Sequence, residues 1–199
     1  MSRTTTYTTP EGRVTRDAIL DAAIRAFAAR GYRGASIDSI AAEVGVSRQG
    51  VLHHFPSKVK LLVAVLQRRD EEDTTVAAEM MERHGSLVEA FEAWRQYRAD
   101  RLGLAQLYTV LSAESVDPQH PAHDYFVDRY RNLRTRLIAD ITGLQAEGRL
   151  ARSLSPETLA SLFIAIMDGL QLQQQLDGEA LDADTVLVDL LRALGLAQS

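Results

Sequence analysis

The stretch from Ser36 to Lys58, SIDSIAAEVGVSRQGVLHHFPSK, leaves a chain few ways to fold. Ser36 and Ser47 stand where helices begin, because a serine oxygen can accept a bond from an otherwise unpaired N–H of the first turn. Gly45 stands where a helix must end in a left-handed residue. Pro56 closes the next helix and Ser57 caps another. The punctuation predicts short helices over 37–44 and 48–54, then a long one starting at Lys58. Ala41 lies four residues before Gly45 and Val51 six after it. A small residue lets two helices cross closely, and an apolar one packs beneath the second, which is the logic of a helix-turn-helix. Ile37, Ile40, Val44, Val46, Val51 and Phe55 form its expected core with Ile19, Ala23 and Phe27.

That packing leaves Arg48, Gln49, Gly50 and His53 on the outer face of the second short helix. Arginine can donate two bonds to guanine and glutamine can pair with adenine. Glycine permits close approach to a base pair. Ser36, Ser47, His54 and Lys58 lie at helix starts or flanks, where phosphate groups bind. The candidate nucleic-acid contacts are therefore Ser36, Ser47, Arg48, Gln49, Gly50, His53, His54 and Lys58.

Charge is distributed accordingly. The chain of 199 residues carries −5 overall, yet residues 1–60 hold nine basic and five acidic side chains, and residues 61–199 hold thirteen and twenty-two. A mildly basic module thus precedes an acidic body, and the asymmetry suits a polyanionic partner for the first third. There is no cysteine, which excludes disulfides, thiolate nucleophiles and cysteine-based zinc sites and fits the cytoplasm. No run approaches the eighteen apolar residues of a membrane span, so no membrane partner is expected. The polar, Thr-rich start lacks the apolar centre of a secretory signal.

Residues 13–62, RVTRDAILDAAIRAFAARGYRGASIDSIAAEVGVSRQGVLHHFPSKVKLL, resemble the TetR family of bacterial transcriptional regulators. The spacing of AFAARGY, IAAEVGVS and HHFPSK carries the resemblance. It implies an all-α protein with a three-helix helix-turn-helix domain joined by the fourth helix to a larger helical domain for ligand binding and dimerisation. Many members have a DNA-contacting tyrosine where this chain has Leu52, a departure that bears on site preference and not on DNA binding itself. The domain expectation is a disordered leader at 1–12, a DNA-binding domain at 13–58 and an effector and dimerisation domain at 59–199.

The periodicity predicts about nine helices. The first starts at Arg13 and stops at Gly31, and the fourth runs to about Arg83 with a solvated charged run from Arg68 to Asp73. The others cover about 87–101, 104–115, 122–147, 156–176 and 182–194, with a Pro-containing loop at 116–122. The body resembles, more loosely, members with a segment like LYTVLSAESVDPQHPAHDYFVDRYRNLR followed by DGLQLQ. That resemblance implies a homodimer in which the last two helices pair with their copies. Leu159, Phe163, Leu170, Leu187, Leu190, Leu191 and Leu194 are the expected interface, with intramolecular core as the alternative. Two-fold symmetry then predicts a palindromic operator.

The aromatic set of the body reads either as core or as the wall of an effector pocket. Phe91, Trp94, Tyr108, Glu114, Phe126, Met167, Asp168 and Gln171 are the pocket candidates. Asp168 amid apolar residues needs a partner, and a structural pair is the favoured reading. His120, His123, Asp124 and Asp117 could suggest a metal site, but Pro118 and Pro121 favour a loop at a pocket rim, and no metal or cofactor is expected. The basic set Arg129, Arg131, Arg134 and Arg136 reads as a salt-bridged exposed face because Asp124, Asp128 and Asp140 share its helix. No phosphate-binding glycine loop or nucleophile elbow is present, so an enzyme is not expected. The reading is a repressor that binds its operator as a homodimer and is released by a small molecule. Its rivals are a regulator without an effector and a helical ligand-binding protein with weakened DNA affinity, to which Leu52 gives a foothold.

Overall fold

A computed structural model describes residues 10–84, 89, 93, 102–178 and 182–193 of the chain. Eight helices are present among them and no strand. They are α1 (Pro10–Gly34), α2 (Ile37–Val44), α3 (Arg48–His54), α4 (Lys58–Arg83), α5 (Leu102–Glu114), α6 (His123–Ala146), α7 (Pro156–Leu176) and α8 (Ala183–Ala193). The helix expected over 87–101 lies almost entirely outside the described residues, so the count of about nine becomes eight. No described helix is long and apolar enough to cross a membrane.

The chain divides into two compact units, one ending at Arg69 and the other starting at Asp70, so the division falls inside α4. In the first unit, α1 begins at Pro10, taking in three residues assigned above to the leader. Proline suits the first helical position, where its fixed φ matches the helix and no N–H is needed. Regular geometry breaks at Gly31 (φ 67°, ψ 173°), and a last turn continues to Gly34. Ile19, Ala22, Ala23, Ala26 and Phe27 of α1 are buried with Ile37, Ile40, Ala41, Val51, Phe55, Leu61, Leu62, Val65 and Leu66. Val44 and Val46, expected in that core, are half-buried because they flank the turn at Gly45. Two ion pairs brace the packing from outside, Arg25–Glu43 at 2.8 Å and Arg68–Asp21 at 3.2 Å.

In the second unit α7 packs against α5, α6 and α8. Leu104, Leu107, Tyr108, Leu111, Phe126, Ala160, Ile164, Leu187 and Val188 supply its buried apolar surface. Ser155 caps α7 by accepting from the Thr158 N–H at 3.2 Å, with Pro156 at the first position. The loop joining α5 to α6 is held by its own histidines. His120 Nδ1 lies 2.8 Å from Ser115 Oγ and accepts from the Ala122 N–H, while His123 Nδ1 lies 2.8 Å from the Ser115 carbonyl.

The charged run of α4 departs from its solvated expectation. Arg69 is buried, and Asp70 accepts bonds from the Tyr125 hydroxyl and, at 3.0 Å, from Arg129 Nε. This part of α4 faces α6, and the charges are tolerated there because they are paired. Arg129 correspondingly leaves the exposed set of α6, on which Arg131, Arg134 and Arg136 remain.

Candidate nucleic-acid interface

The interface candidate is built on the start of three helices. At α2, Ser36 Oγ accepts from the Ser39 N–H at 3.1 Å and Ser39 Oγ accepts from the Ser36 N–H at 3.3 Å, a reciprocal cap. Gly45 ends α2 in the left-handed region (φ 75°), and its N–H bonds back to the last turn. Ser47 then caps α3, accepting from the Gly50 N–H at 3.0 Å. Ser57 Oγ accepts from the Lys60 N–H at 3.1 Å at the start of α4. The first N–H groups of each helix have no intrahelical acceptor, so each start presents partial positive charge.

A groove joins these parts, lined by Ser36, Ile37, Asp38, Arg48, Leu52 and Lys58 among others. The starts of α2 and α4 both border it. Arg48, Gln49 and His53 project from the exposed side of α3, and Gly50 is half-buried. A methyl group at Gly50 would meet Ser47 Oγ and Val46 Cβ at 3.5 Å, an ordinary contact, so the protein's own packing does not require glycine there.

The flanking residues are more engaged than their sequence positions suggest. Lys58 Nζ sits 4.5 Å from the centre of the Tyr32 ring and donates to the Arg33 carbonyl at 3.4 Å. Partial burial lowers its pKa from the ordinary value. His54 is half-buried, and burial, followed by the nearby charges of His53 and Arg16, lowers its pKa as well. The lowered pKa shifts His54 toward its neutral form. Arg16 lies over the Phe55 ring at 5.0 Å. Leu52 is half-buried in the groove wall.

Sequence reasoning missed three participants here: Asp38, whose carboxylate pairs with Arg48 Nη1 at 2.5 Å, Tyr32 beneath Lys58, and Arg16. Tyr32 lay within the AFAARGY segment and had a readable signal. The Asp38–Arg48 pair joins different helices and had none.

Residues 19–65 match the family described as "Bacterial regulatory proteins, tetR family", and residues 106–195 match "BetI-type transcriptional repressor, C-terminal". This chain belongs to the TetR family. Its members are transcriptional regulators rather than enzymes. The uncharacterised helix-turn-helix regulator TtgW of Pseudomonas putida is 44% identical over 31% of this chain and 46% of its own length, so this chain spans under half of that relative. The repressor BepR of Brucella suis is 27% identical over 86% of this chain and 85% of its own. A Rhodococcus sp. crystal structure attributed to the TetR family superposes with a TM-score of 0.75 at 26% identity, covering 90% of this chain and 97% of that one.

Within the second unit of this TetR-family chain, the pocket candidates separate. Tyr108 and Phe126 are buried edge to face at 5.0 Å, and the Arg129 guanidinium lies 4.6 Å from the Tyr108 ring centre. Asp168 accepts from the Tyr130 hydroxyl at 2.6 Å. Gln171 donates to Thr109 Oγ1 at 2.8 Å. Met167 is half-buried, and Glu114 is exposed at the end of α5, its carboxylate 3.8 Å from His120 Nε2. Phe91 and Trp94 lie outside the described residues. Burial, and after it Asp70 or Asp168, pushes the Tyr125 and Tyr130 hydroxyls well above the ordinary tyrosine range.

The interface candidates of α7 and α8 separate too. Leu187 is 1% exposed, so its surface is already consumed within one chain. Leu159, Phe163, Leu170 and Leu190 are half-buried. The Leu191 side chain and Leu194 lie outside the described residues. The exposed apolar residues of α7 are instead Leu162, Leu172 and Leu176, the last 78% exposed. At about 100° per residue these fall on one stripe with Ala165 and Gly169.

Proposed function

We propose that this chain is a ligand-responsive repressor that binds a palindromic operator as a homodimer, with α3 lying in the major groove. The observation that carries the reading is the arrangement around α3. It exposes Arg48, Gln49 and His53 beside a groove bordered by two helix starts and Lys58. Arg48 and Gln49 have the donor patterns that read guanine and adenine, while the helix starts, Ser36, Ser47, His54 and Lys58 suit phosphates on either side. Repression follows the relative BepR, which is named a repressor.

The exposed stripe on α7 supports the homodimer. A surface of Leu162, Ala165, Gly169, Leu172 and Leu176 combines apolar and small residues, which lets a second copy approach closely. The second unit supports the effector. Among the described residues, Arg129 Nη1 and Gln175 Nε2 are buried without a hydrogen-bond partner, and buried polar groups in native proteins are normally satisfied. The residues proposed for a ligand are Tyr108, Phe126, Met167, Asp168 and Gln171, together with Glu114 and, outside the described residues, Phe91 and Trp94. Release needs a ligand that binds the non-DNA-binding conformation better by ~1–3 kcal/mol, the usual size of allosteric coupling. Because the unit boundary lies within α4, that helix is the lever.

Capture of genomic fragments from the source organism at moderate salt, followed by sequencing, tests the reading. Enrichment of a sequence with two inverted half-sites is the expected result. A folded dimer that enriches no fragment, with or without a pool of small molecules, would sink it.

A further inference from the structure

The pairing of Arg48 with Asp38 is not needed to hold the fold. Both side chains are largely exposed, at 57% and 66%, and they meet at 2.5 Å on the wall of the groove that faces the proposed DNA. Exposed pairs of this kind add little to stability. Asp38 also costs the interface something, because a carboxylate beside a phosphate backbone repels it. Its position within the first turn of α2 does suit the helix dipole, but that would be served by any acid in that turn and does not account for the contact with Arg48.

We infer that Asp38 is a specificity-determining positioning residue, which holds the Arg48 guanidinium for base reading and keeps it from the phosphates. The inference rests on the DNA-reading role proposed for α3. An unrestrained arginine on a positive surface has many rotamers and binds any phosphate within reach, which strengthens binding to every sequence alike. The bond from Nη1 to Asp38 Oδ2 withdraws one nitrogen and fixes the plane of the guanidinium. The opposite edge then meets the two acceptors of a guanine in one orientation, and sequence discrimination depends on that bidentate fit. Asp38 touches no base in this scheme and acts through Arg48.

The test measures dissociation constants for two duplexes, the best sequence selected by the wild-type protein from a randomised library and a shuffled version of it. Asp38→Asn keeps the shape and N-terminal position of the side chain but removes its charge, and thermal unfolding checks that it folds. The ratio of the two constants is expected to fall roughly tenfold, within the range that a bidentate base contact supports, mainly through tighter binding to the shuffled duplex. Asp38→Glu, which restores the charge, is expected to recover most of the ratio. In an Arg48→Ala background, Asp38→Asn is expected to tighten both duplexes by the same factor and leave the ratio alone. If Asp38→Asn tightens both duplexes equally while Arg48 is present, Asp38 is a repulsive charge only and the inference is overturned. An unfolded Asp38→Asn chain transfers the decision to Asp38→Glu and Asp38→Ser, read the same way. A wild-type protein that selects no sequence overturns the DNA-reading role itself, and the inference with it.

Discussion

In the proposed complex, two residues of α3 set different requirements for the duplex, Arg48 an acceptor pair and Gly50 a close approach. Arg48→Ala is expected to relax the preference at one base pair in each half-site and to cost ~1–3 kcal/mol. Competition among duplexes that differ at single positions checks this, and an unchanged profile would contradict the placement of α3. Gly50 is helical and has room for a methyl group, so Gly50→Ala should raise stability by up to about 1 kcal/mol while weakening operator binding. A variant that is more stable and binds unchanged would mean that Gly50 does not face DNA. In the second unit, the raised pKa values of Tyr125 and Tyr130 favour the protonated folded state. Their contribution to stability is complete below the unfolded value of 10.0 and is lost as pH rises above it. Denaturant unfolding from pH 8 upward should show that decline, and Tyr125→Phe or Tyr130→Phe should make it shallower. At this scale the exposed face of α3 was legible, because caps and apolar spacing fix which residues point outward. The Asp38–Arg48 and Asp70–Tyr125 pairs were not, since each depends on how two helices cross rather than on either helix alone.

The boundaries of α2, α3 and the start of α4 were legible to the residue because Ser36, Ser47 and Ser57 each make the capping bond that their position advertises. The end of α1 was less so. Gly31 breaks the helix geometry as a left-handed glycine should, yet the chain resumes one turn to Gly34, and nothing local distinguishes a kink from a stop. The apolar content of α7 was visible in the sequence, but which of its leucines stay exposed was not. Ala160 and Ile164 are buried, and that contact, set by the neighbouring helices, turns Leu162, Leu172 and Leu176 outward. Leu162→Asp is therefore expected to leave the protomer folded, within about 0.5 kcal/mol as for an exposed site, and to shift the protein toward monomer. Sedimentation at micromolar concentration reads this out. An unchanged dimer mass would place the interface elsewhere.

At the scale of the molecule, one chain carries a basic first third and an acidic remainder. The basic part can draw the protein to a phosphate backbone, and the acidic part discourages other contacts with it, which favours docking through α3. Two copies related by a two-fold axis would place two α3 helices in grooves about one helical turn apart, near 34–36 Å. The compact units divide within α4, after Arg69, at a position that no cap or turn residue marks in the sequence. The measurement that bears most directly on the central claim is selection of bound duplexes from a fully randomised library by the wild-type protein and by Arg48→Ala. Inverted half-sites are expected for the wild type, and the same motif with one position in each half-site lost for Arg48→Ala. A motif without two-fold symmetry, or one that Arg48→Ala leaves intact, would contradict it.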